Sequence, residues 1–365
     1  MATSNILWQN HEQFLKNMEV QLEKTDAIKE ALQQYKYLTQ VQYANSLENV
    51  LLHIKNEVEK LFARKIQHYD FEEVKQNPDI DSEDPEDTNL MTSNLTIEQK
   101  QREIQIKNVL KIIYEIYKMI IETVKVHKKL EEVHIITIQK MLEFCDKYSR
   151  KTELKRFLEH QHFFLTQLQQ RDIDFNKNPN HISLYNSETR DYLIQIRLDC
   201  TRSALKQSLY SYAFRQLEDI SILINLKKVQ TPIKHKIMSA YYYYLSEVFW
   251  HSKYFGYHSF FFLHHILIFR TNPQASAEEI KEKINQLILG VLSIPQYPIE
   301  DFQSEESKAK IASLQRNNNK LIPKKEEIIS LVQRMNLNEV ALEEIKTDIQ
   351  FIERKSQTIN VYTLY

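Results

Sequence analysis

Only two glycines, Gly256 and Gly290, occur in the 365 residues of this chain, where average usage would place roughly 25. Glycine is the cheapest route to positive φ, so its scarcity removes most tight hairpins, bulges and phosphate-cradling turns. No G-x-G-x-x-G, G-x-x-x-x-G-K or G-x-S-x-G is present, so the common nucleotide loops and hydrolase elbows have no residues to build them. Helix packed on helix, joined by polar loops, is the natural remainder. The chain is also rich in Ile, Lys, Asn, Tyr and Gln, as an AT-rich coding sequence produces, so helicity has to be argued from periodicity rather than from glycine alone.

That periodicity is present. Ile104, Val109, Ile112, Ile113, Ile116, Ile120, Ile121 and Val124 fall on one broad helical stripe. Leu130, Val133, Ile136, Ile138, Met141, Leu142 and Cys145 form a second, and Leu154, Phe157, Leu158, Leu165 and Leu168 a third. After the polar break at 176–181, helical segments are predicted over roughly 187–227, 234–270 and 276–293. Pro232 and Pro273 stand just outside helix starts, while Pro295 and Pro298 punctuate the last end. The expected fold class is all-α, a right-handed α-solenoid of stacked helical hairpins without a strict repeat period. The expected divisions are N-terminal hairpins over 1–67, an acidic insertion over 68–98, a helical-repeat solenoid over 99–300 and a further helical segment over 301–365. The insertion carries a run of acids from Asp79 to Asp87 and two prolines, too polar to bury.

Composition narrows the function classes. A formal net charge of −1 gives no global field toward nucleic acid or an anionic membrane, so any RNA contact must come from a local patch. Two cysteines, Cys145 and Cys200, are too few for a disulfide framework. The N-terminus lacks a basic n-region and an apolar h-region, and the aromatic stretch 241–269 is interrupted by Glu247, His251, Ser252 and Lys253. The expectation is a cytoplasmic protein with no membrane partner.

Few residues suggest chemistry. His251, His258, His264 and His265 lie among aromatics and read as core or interface histidines, and no C-x-x-C or H-E-x-x-H occurs. Glu131-x-x-His134 and Glu159-x-x-His162 have the i, i+3 spacing of carboxylate-bridged di-iron bundles. Glu131 shares its segment with Lys128, Lys129 and Glu132, the pattern of a solvated face, which weighs against that metal reading. The Tyr241–Tyr244 run with Phe249 and Trp250 could stack on bases, yet on a helix it spans all faces, which favours core packing with one edge at an interface. The densest basic loop holds Lys227, Lys228, Lys234, His235 and Lys236, followed by Lys324 and Lys325. These lysines are the candidate RNA or ribosome contacts. No catalytic, metal or cofactor residue is assigned, and no cofactor or small-molecule substrate is expected.

Five stretches resemble the N-terminal helical region of the largest (a) subunit of eukaryotic translation initiation factor 3. The first is Lys29-Glu30-Ala31-Leu32-Gln33-Gln34-Tyr35-Lys36 with Ser46-Leu47-Glu48-Asn49-Val50, similar to that family's K-E-G-L-x-Q-Y-K and S-L-E-D-V. The second is Phe144-Cys145-x-x-Tyr148-x-Arg150-Lys151-x-Glu153-Leu154, close to F-C-x-x-Y-x-R-K-x-E-F. The third is Ala213-Phe214-x-x-x-Glu218-Asp219-Ile220, with Tyr192, Leu193 and Arg197 upstream. The fourth is Met238-x-x-Tyr241-Tyr242 with Ser246-x-Val248-Phe249-Trp250, and the fifth Leu289-x-x-Leu292-Ser293-Ile294-Pro295-x-x-Pro298. They run in family order across about residues 8–345.

The resemblance implies a PCI-class, TPR-like helical scaffold without an active site. It implies binding to mRNA, to sister subunits of the factor (especially c and b) and to the small ribosomal subunit during pre-initiation complex assembly. The alternatives are a PCI scaffold of the proteasome lid or signalosome and, more remotely, a di-iron helical-bundle oxidase. The family's leading hairpin, its winged helix and its long downstream helix are expected to be absent from this chain, with residues 328–351 forming the approach to the winged helix. Where the family has an S-G-N turn, this chain reads Ser252-Lys253-Tyr254, so a continued helix or a longer loop is expected. Ala31 likewise stands at a family glycine, and Gly290 at a family alanine.

Overall fold

The computed structural model describes residues 44–67, 97–125, 127–171, 182–184, 186–226 and 231–294, with residues 30, 69 and 328 as isolated positions. Among the described residues there are nine α-helices and no strand. They are α1 (Ala44–Ile66), α2 (Ile97–Val124), α3 (Glu131–Lys147), α4 (Lys151–Arg171), α5 (Ser187–Lys206), α6 (Tyr210–Ile224), α7 (His235–His251), α8 (Phe255–Phe269) and α9 (Ala277–Leu292). A single 3-10 turn, Lys128–Leu130, precedes α3. The chain forms two compact units, Met1–Thr231 and Pro232–Tyr365.

In the first unit, α1 packs on α2, α2 on α3, α3 on α5, α4 on α6 and α5 on α6. First helices meet first helices and second meet second, the stacking of a TPR-like solenoid. The core follows the sequence stripes: Val109, Ile113, Ile116, Ile120, Ile121 and Val124 of α2 are buried, as are Leu154, Phe157, Leu158, Leu165 and Leu168 of α4. Ile104 is the exception at 59% exposure. It lies on the line of Asn108 and Lys111, one turn and two turns along, which are also exposed; the apolar face proper starts at Ile106. Leu47 and Val50 of the first matched stretch are buried in α1, with Leu51, Ile54 and Val58.

In the second unit, α7 packs on α8 and α8 on α9. Phe262, Leu263, Ile266, Ile284, Leu287 and Val291 form its core, which Ile328 joins from beyond α9. The helix α9 opens with a capping box: the Glu279 N–H donates to Ser276 Oγ at 3.1 Å, and the Ser276 N–H donates to Glu279 Oε2 at 3.1 Å. Gly290 is buried in α9, and a Cβ there would lie 3.1 Å from the His258 ring and 3.3 Å from Ser259 Oγ. The glycine is what lets α9 approach α8 this closely.

Two predicted helices are each broken in two. The span 187–227 divides at Ser208 (φ 60°) and 234–270 at Lys253 (φ 63°), while Ser149 (φ 53°) separates α3 from α4. All three residues sit two positions past a helix end in the left-handed region, and none is glycine. Each turn carries the six-residue backbone bond of a Schellman motif: Arg150 N–H to Cys145 O at 2.9 Å, Leu209 N–H to Ala204 O at 2.8 Å, and Tyr254 N–H to Phe249 O at 2.9 Å. The Ser252-Lys253-Tyr254 turn is therefore neither a continued helix nor a longer loop. It keeps a glycine-type conformation on a lysine.

The acidic segment 70–96, residues 295–327 and 329–365, and most of the first matched stretch lie outside the described residues.

Candidate functional site

In the second and third matched stretches the residues that carry the family resemblance lie mostly in the interior of the first unit, while Trp250 and Leu289 of the fourth and fifth, in the second unit, are exposed. Phe144, Cys145, Tyr148, Arg150, Glu153 and Leu154 are all buried around the α3–α4 turn. Phe62 of α1 meets the rings of Phe144 and Tyr148 edge-on, at 5.9 and 5.7 Å between centroids. Tyr114 of α2 donates its hydroxyl to the Glu153 carbonyl at 3.4 Å. This stretch is thus a joint that fixes α1, α2, α3 and α4 together.

The third stretch is a second joint. Arg197 of α5 is fully buried and lies 3.5 Å (Nε to Oδ2) from Asp219 of α6, itself buried. The Arg197 guanidinium donates to the carbonyls of Leu193 and Gln161, each at 3.2 Å. Asp219 Oδ1 in turn lies 2.8 Å from His162 Nδ1 of α4. Burial pushes the Arg197 guanidinium below its usual value, and Asp219 opposes that shift. One arginine thus ties three helices. Beside it, Tyr192 of α5 bonds His134 Nδ1 of α3, and burial lowers the His134 pKa to about 3.

The four candidate di-iron ligands do not assemble. Glu131 accepts from Thr189 at 2.9 Å and Glu159 from Tyr212 at 3.3 Å, while His134 and His162 are held by Tyr192 and Asp219. Among the described residues no group of three or more His, Cys, Asp or Glu could hold a metal ion. Chance i, i+3 spacing produced the pattern, and each residue serves helix packing instead. A groove of about 270 Å³ between α3 and α5 is lined by Gln139, Glu143, Asp146, Asp199, Arg202 and Lys206, among others. Its carboxylates are already engaged: Asp199 with Gln139 at 3.1 Å and Arg202 at 3.2 Å, Asp146 with Ser203 and Lys206, Glu143 with Lys140 at 2.8 Å.

In the second unit His258 and His265 are structural. His258 Nδ1 lies 2.9 Å from the Ser246 carbonyl and His265 Nδ1 2.9 Å from the Ser239 carbonyl, tying α8 to α7. Burial lowers both, His265 to about 4. His251 is exposed.

Of the candidate RNA-contact lysines, Lys234 and Lys236 are exposed at the N-terminus of α7, where Lys234 is the N-cap residue. Lys227, Lys228, Lys324 and Lys325 lie outside the described residues. Cations at a helix N-terminus oppose the macrodipole rather than complement it. Free backbone N–H groups at a helix N-terminus attract anions. A different surface is the α7–α8 turn, which exposes Trp250 (42%), a base-stacking candidate from the sequence, and Tyr254 (61%), which is not among those candidates, with His251, Ser252 and Lys253 between them. Trp250 is the penultimate residue of α7, and Tyr254 immediately precedes α8. No described helix is long and apolar enough to cross a membrane.

Residues 7–360 match the family described as eIF3a, PCI domain, TPR-like region. The A-type subunit of eukaryotic translation initiation factor 3 from Caenorhabditis briggsae is 26% identical over 294 residues, which is 78% of this chain and 27% of that protein. Its counterpart in Nicotiana tabacum is 29% identical over 280 residues (74% of this chain, 28% of that protein), and that of Homo sapiens 28% over 289 residues (76% and 20%). The chain spans between a fifth and a third of the length of these curated relatives.

Proposed function

The chain belongs to the eIF3a, PCI domain, TPR-like family, and we propose that it is a scaffold subunit of translation initiation factor 3 rather than an enzyme. In this reading it binds sister subunits of the factor, the c and b subunits foremost, contacts the small ribosomal subunit in the cytoplasm and contributes to mRNA recruitment. The observation that carries the reading is where the matched residues sit. Arg150, Glu153, Arg197 and Asp219 are polar side chains that an enzyme would present in a cleft, and here they are buried in helix–helix joints. A stack of helical hairpins offers long surfaces for many weak contacts and needs no reactive group.

The basic residues at the start of α7 supply the proposed ribosomal contact: Lys234 and Lys236, with Lys227 and Lys228 just upstream and Lys324 and Lys325 as a second patch. Phosphate contacts of this kind give affinity that falls with salt and carries no sequence preference. The test is sedimentation of native extracts. The chain is expected to travel with small-subunit particles and to bring initiation factor subunits with it on affinity purification. Recovery only in free fractions, or with proteasome-lid or signalosome subunits, refutes the proposal. Charge reversal at Lys234 and Lys236 is expected to loosen ribosome association with the thermal midpoint unchanged, and unaltered association would remove these lysines from the contact.

A further inference from the structure

The α7–α8 turn brings three observations together. Trp250 and Tyr254 are among the most exposed large hydrophobic side chains described, at 42% and 61%. Each is nevertheless set in place by neighbours that meet it tilted or edge-on. Trp250 lies 4.9 Å from the His258 ring and 5.1 Å from Phe255, and Tyr254 lies 6.5 Å from both Phe249 and Tyr257. Between them Lys253 holds φ 63°, a conformation that glycine adopts freely and lysine does not. A strained residue flanked by exposed, positioned aromatics directs attention to what the turn touches.

The charge of the turn selects the occupant. One carboxylate, Glu247, occurs from Glu247 through Ala277, against Lys253, Arg270 and four histidines, and it acts on the His258 ring that packs against Trp250. The C-terminal half of α9, which Gly290 brings against His258 and Ser259, is free of carboxylates from Lys283 to Ser293. Lys253 forms no ion pair among the described residues. Two exposed aromatics and an unopposed lysine on a rigid turn are the elements of a single-stranded nucleic-acid platform: bases stack on rings, and the phosphate meets the cation.

We propose that the α7–α8 turn binds single-stranded RNA, with Trp250 and Tyr254 stacking on successive bases and Lys253 contacting the phosphate between them. The proposal deepens the scaffold reading by giving its RNA contact a second, aromatic surface distinct from the α7 N-terminus. It can fail while ribosome co-sedimentation succeeds, because the test uses isolated RNA.

The chain contains two tryptophans, so Trp8→Phe in the full 365-residue chain leaves Trp250 as the sole indole. Titration with a 12-nucleotide oligouridylate is expected to quench Trp250 emission saturably, with binding that weakens as salt rises. Tyr254→Ala is expected to weaken binding about tenfold. Lys253→Gly suits the turn better and should not disturb the fold, yet it is expected to weaken binding about threefold and flatten the salt dependence by about 0.7 in slope. A purely structural role would leave Lys253→Gly binding as tightly as the parent, and that result overturns the proposal. So does an absence of quenching, or protection of Trp250 from acrylamide by a purified protein partner where the oligonucleotide gives none.

Discussion

Replacing left-handed residues by glycine should make this protein more stable, which inverts the usual expectation for a helical chain. Ser149, Ser208 and Lys253 hold φ 53°, 60° and 63° at helix ends. A side chain there costs about 1–2 kcal/mol through the clash of Cβ with the following carbonyl. Glycine removes that clash but adds about 0.4–1 kcal/mol of unfolded-state entropy. The net gain is about 0.5–1 kcal/mol per site. Ser149→Gly with Ser208→Gly, both in the first unit, should therefore add about 1–2 kcal/mol if the separate turns act independently. For a unit of this size that corresponds to a rise of roughly 2–8 °C in the midpoint. Lys253→Gly acts on the second unit alone. Alanine at the same positions is the control, because it removes the native side chain and keeps the Cβ. The assay is urea and thermal unfolding followed by circular dichroism. Glycine variants no more stable than their alanine counterparts would refute the idea that these turns store strain, and with it the reading of Lys253 as a residue retained at a cost.

Arg197→Met should destabilise the first unit by about 3 kcal/mol, because buried Asp219 would keep only His162 as a partner; a loss under about 1 kcal/mol in urea unfolding would show that the joint is dispensable. Gly290→Ala gains about 1 kcal/mol of helix propensity but drives a Cβ to 3.1 Å from His258. That ring is held by the Ser246 carbonyl and stacked on Phe262, so overpacking of about 1–3 kcal/mol wins and the midpoint falls. Acid should weaken both units. His134 and His265 titrate near 3 and 4 when folded and near 6.5 when unfolded. Below pH 6.5 the unfolded chain therefore binds more protons, and each group removes up to about 1.4 kcal/mol per pH unit down to its folded value. Urea midpoints should be flat above about pH 7 and fall below it, and a midpoint that rises on acidification would contradict this. Cys145 and Cys200 are fully buried, and burial pushes the Cys200 thiol up to about 12. Both should resist aromatic disulfide reagents until the first unit unfolds, with two thiols then released at the unfolding rate.

The helices were legible because their apolar faces are buried along regular stripes, and nearly every stripe residue from Val109 to Leu168 took its expected place. The breaks at Ser208 and Lys253 were not legible. A helix end is ordinarily announced by glycine or proline, and here the left-handed position is filled by serine or lysine, which carry no such signal. Trp250 was legible as an aromatic at an edge, whereas the exposure of Tyr254 follows from a turn that no glycine or proline announces. The Glu131/His134 and Glu159/His162 pairs failed for the opposite reason. Their spacing was real, but which helix faces them decides whether a carboxylate finds a metal, and here Thr189 and Tyr212 stand opposite.

Why a family should be recognisable in a chain only 26–29% identical to its relatives follows from the same physics. A surface lysine can be exchanged for arginine or moved one residue along with little effect on stability. Arg197 cannot, because its guanidinium meets an α6 carboxylate and carbonyls of both α4 and α5 at once, and any shorter or uncharged replacement strands a buried partner. The same holds at the α3–α4 joint, where Tyr148, Arg150 and Glu153 are polar and buried together. Motifs built from such residues report how hairpins are stacked, which is why they identify the scaffold. Partner contacts are made by residues that stability leaves free to vary. It follows that a variant panel at Arg197, Arg150 and Glu153 should lose the fold and every partner together, whereas one at Lys234, Lys236 and Tyr254 should separate partners from one another with the fold intact.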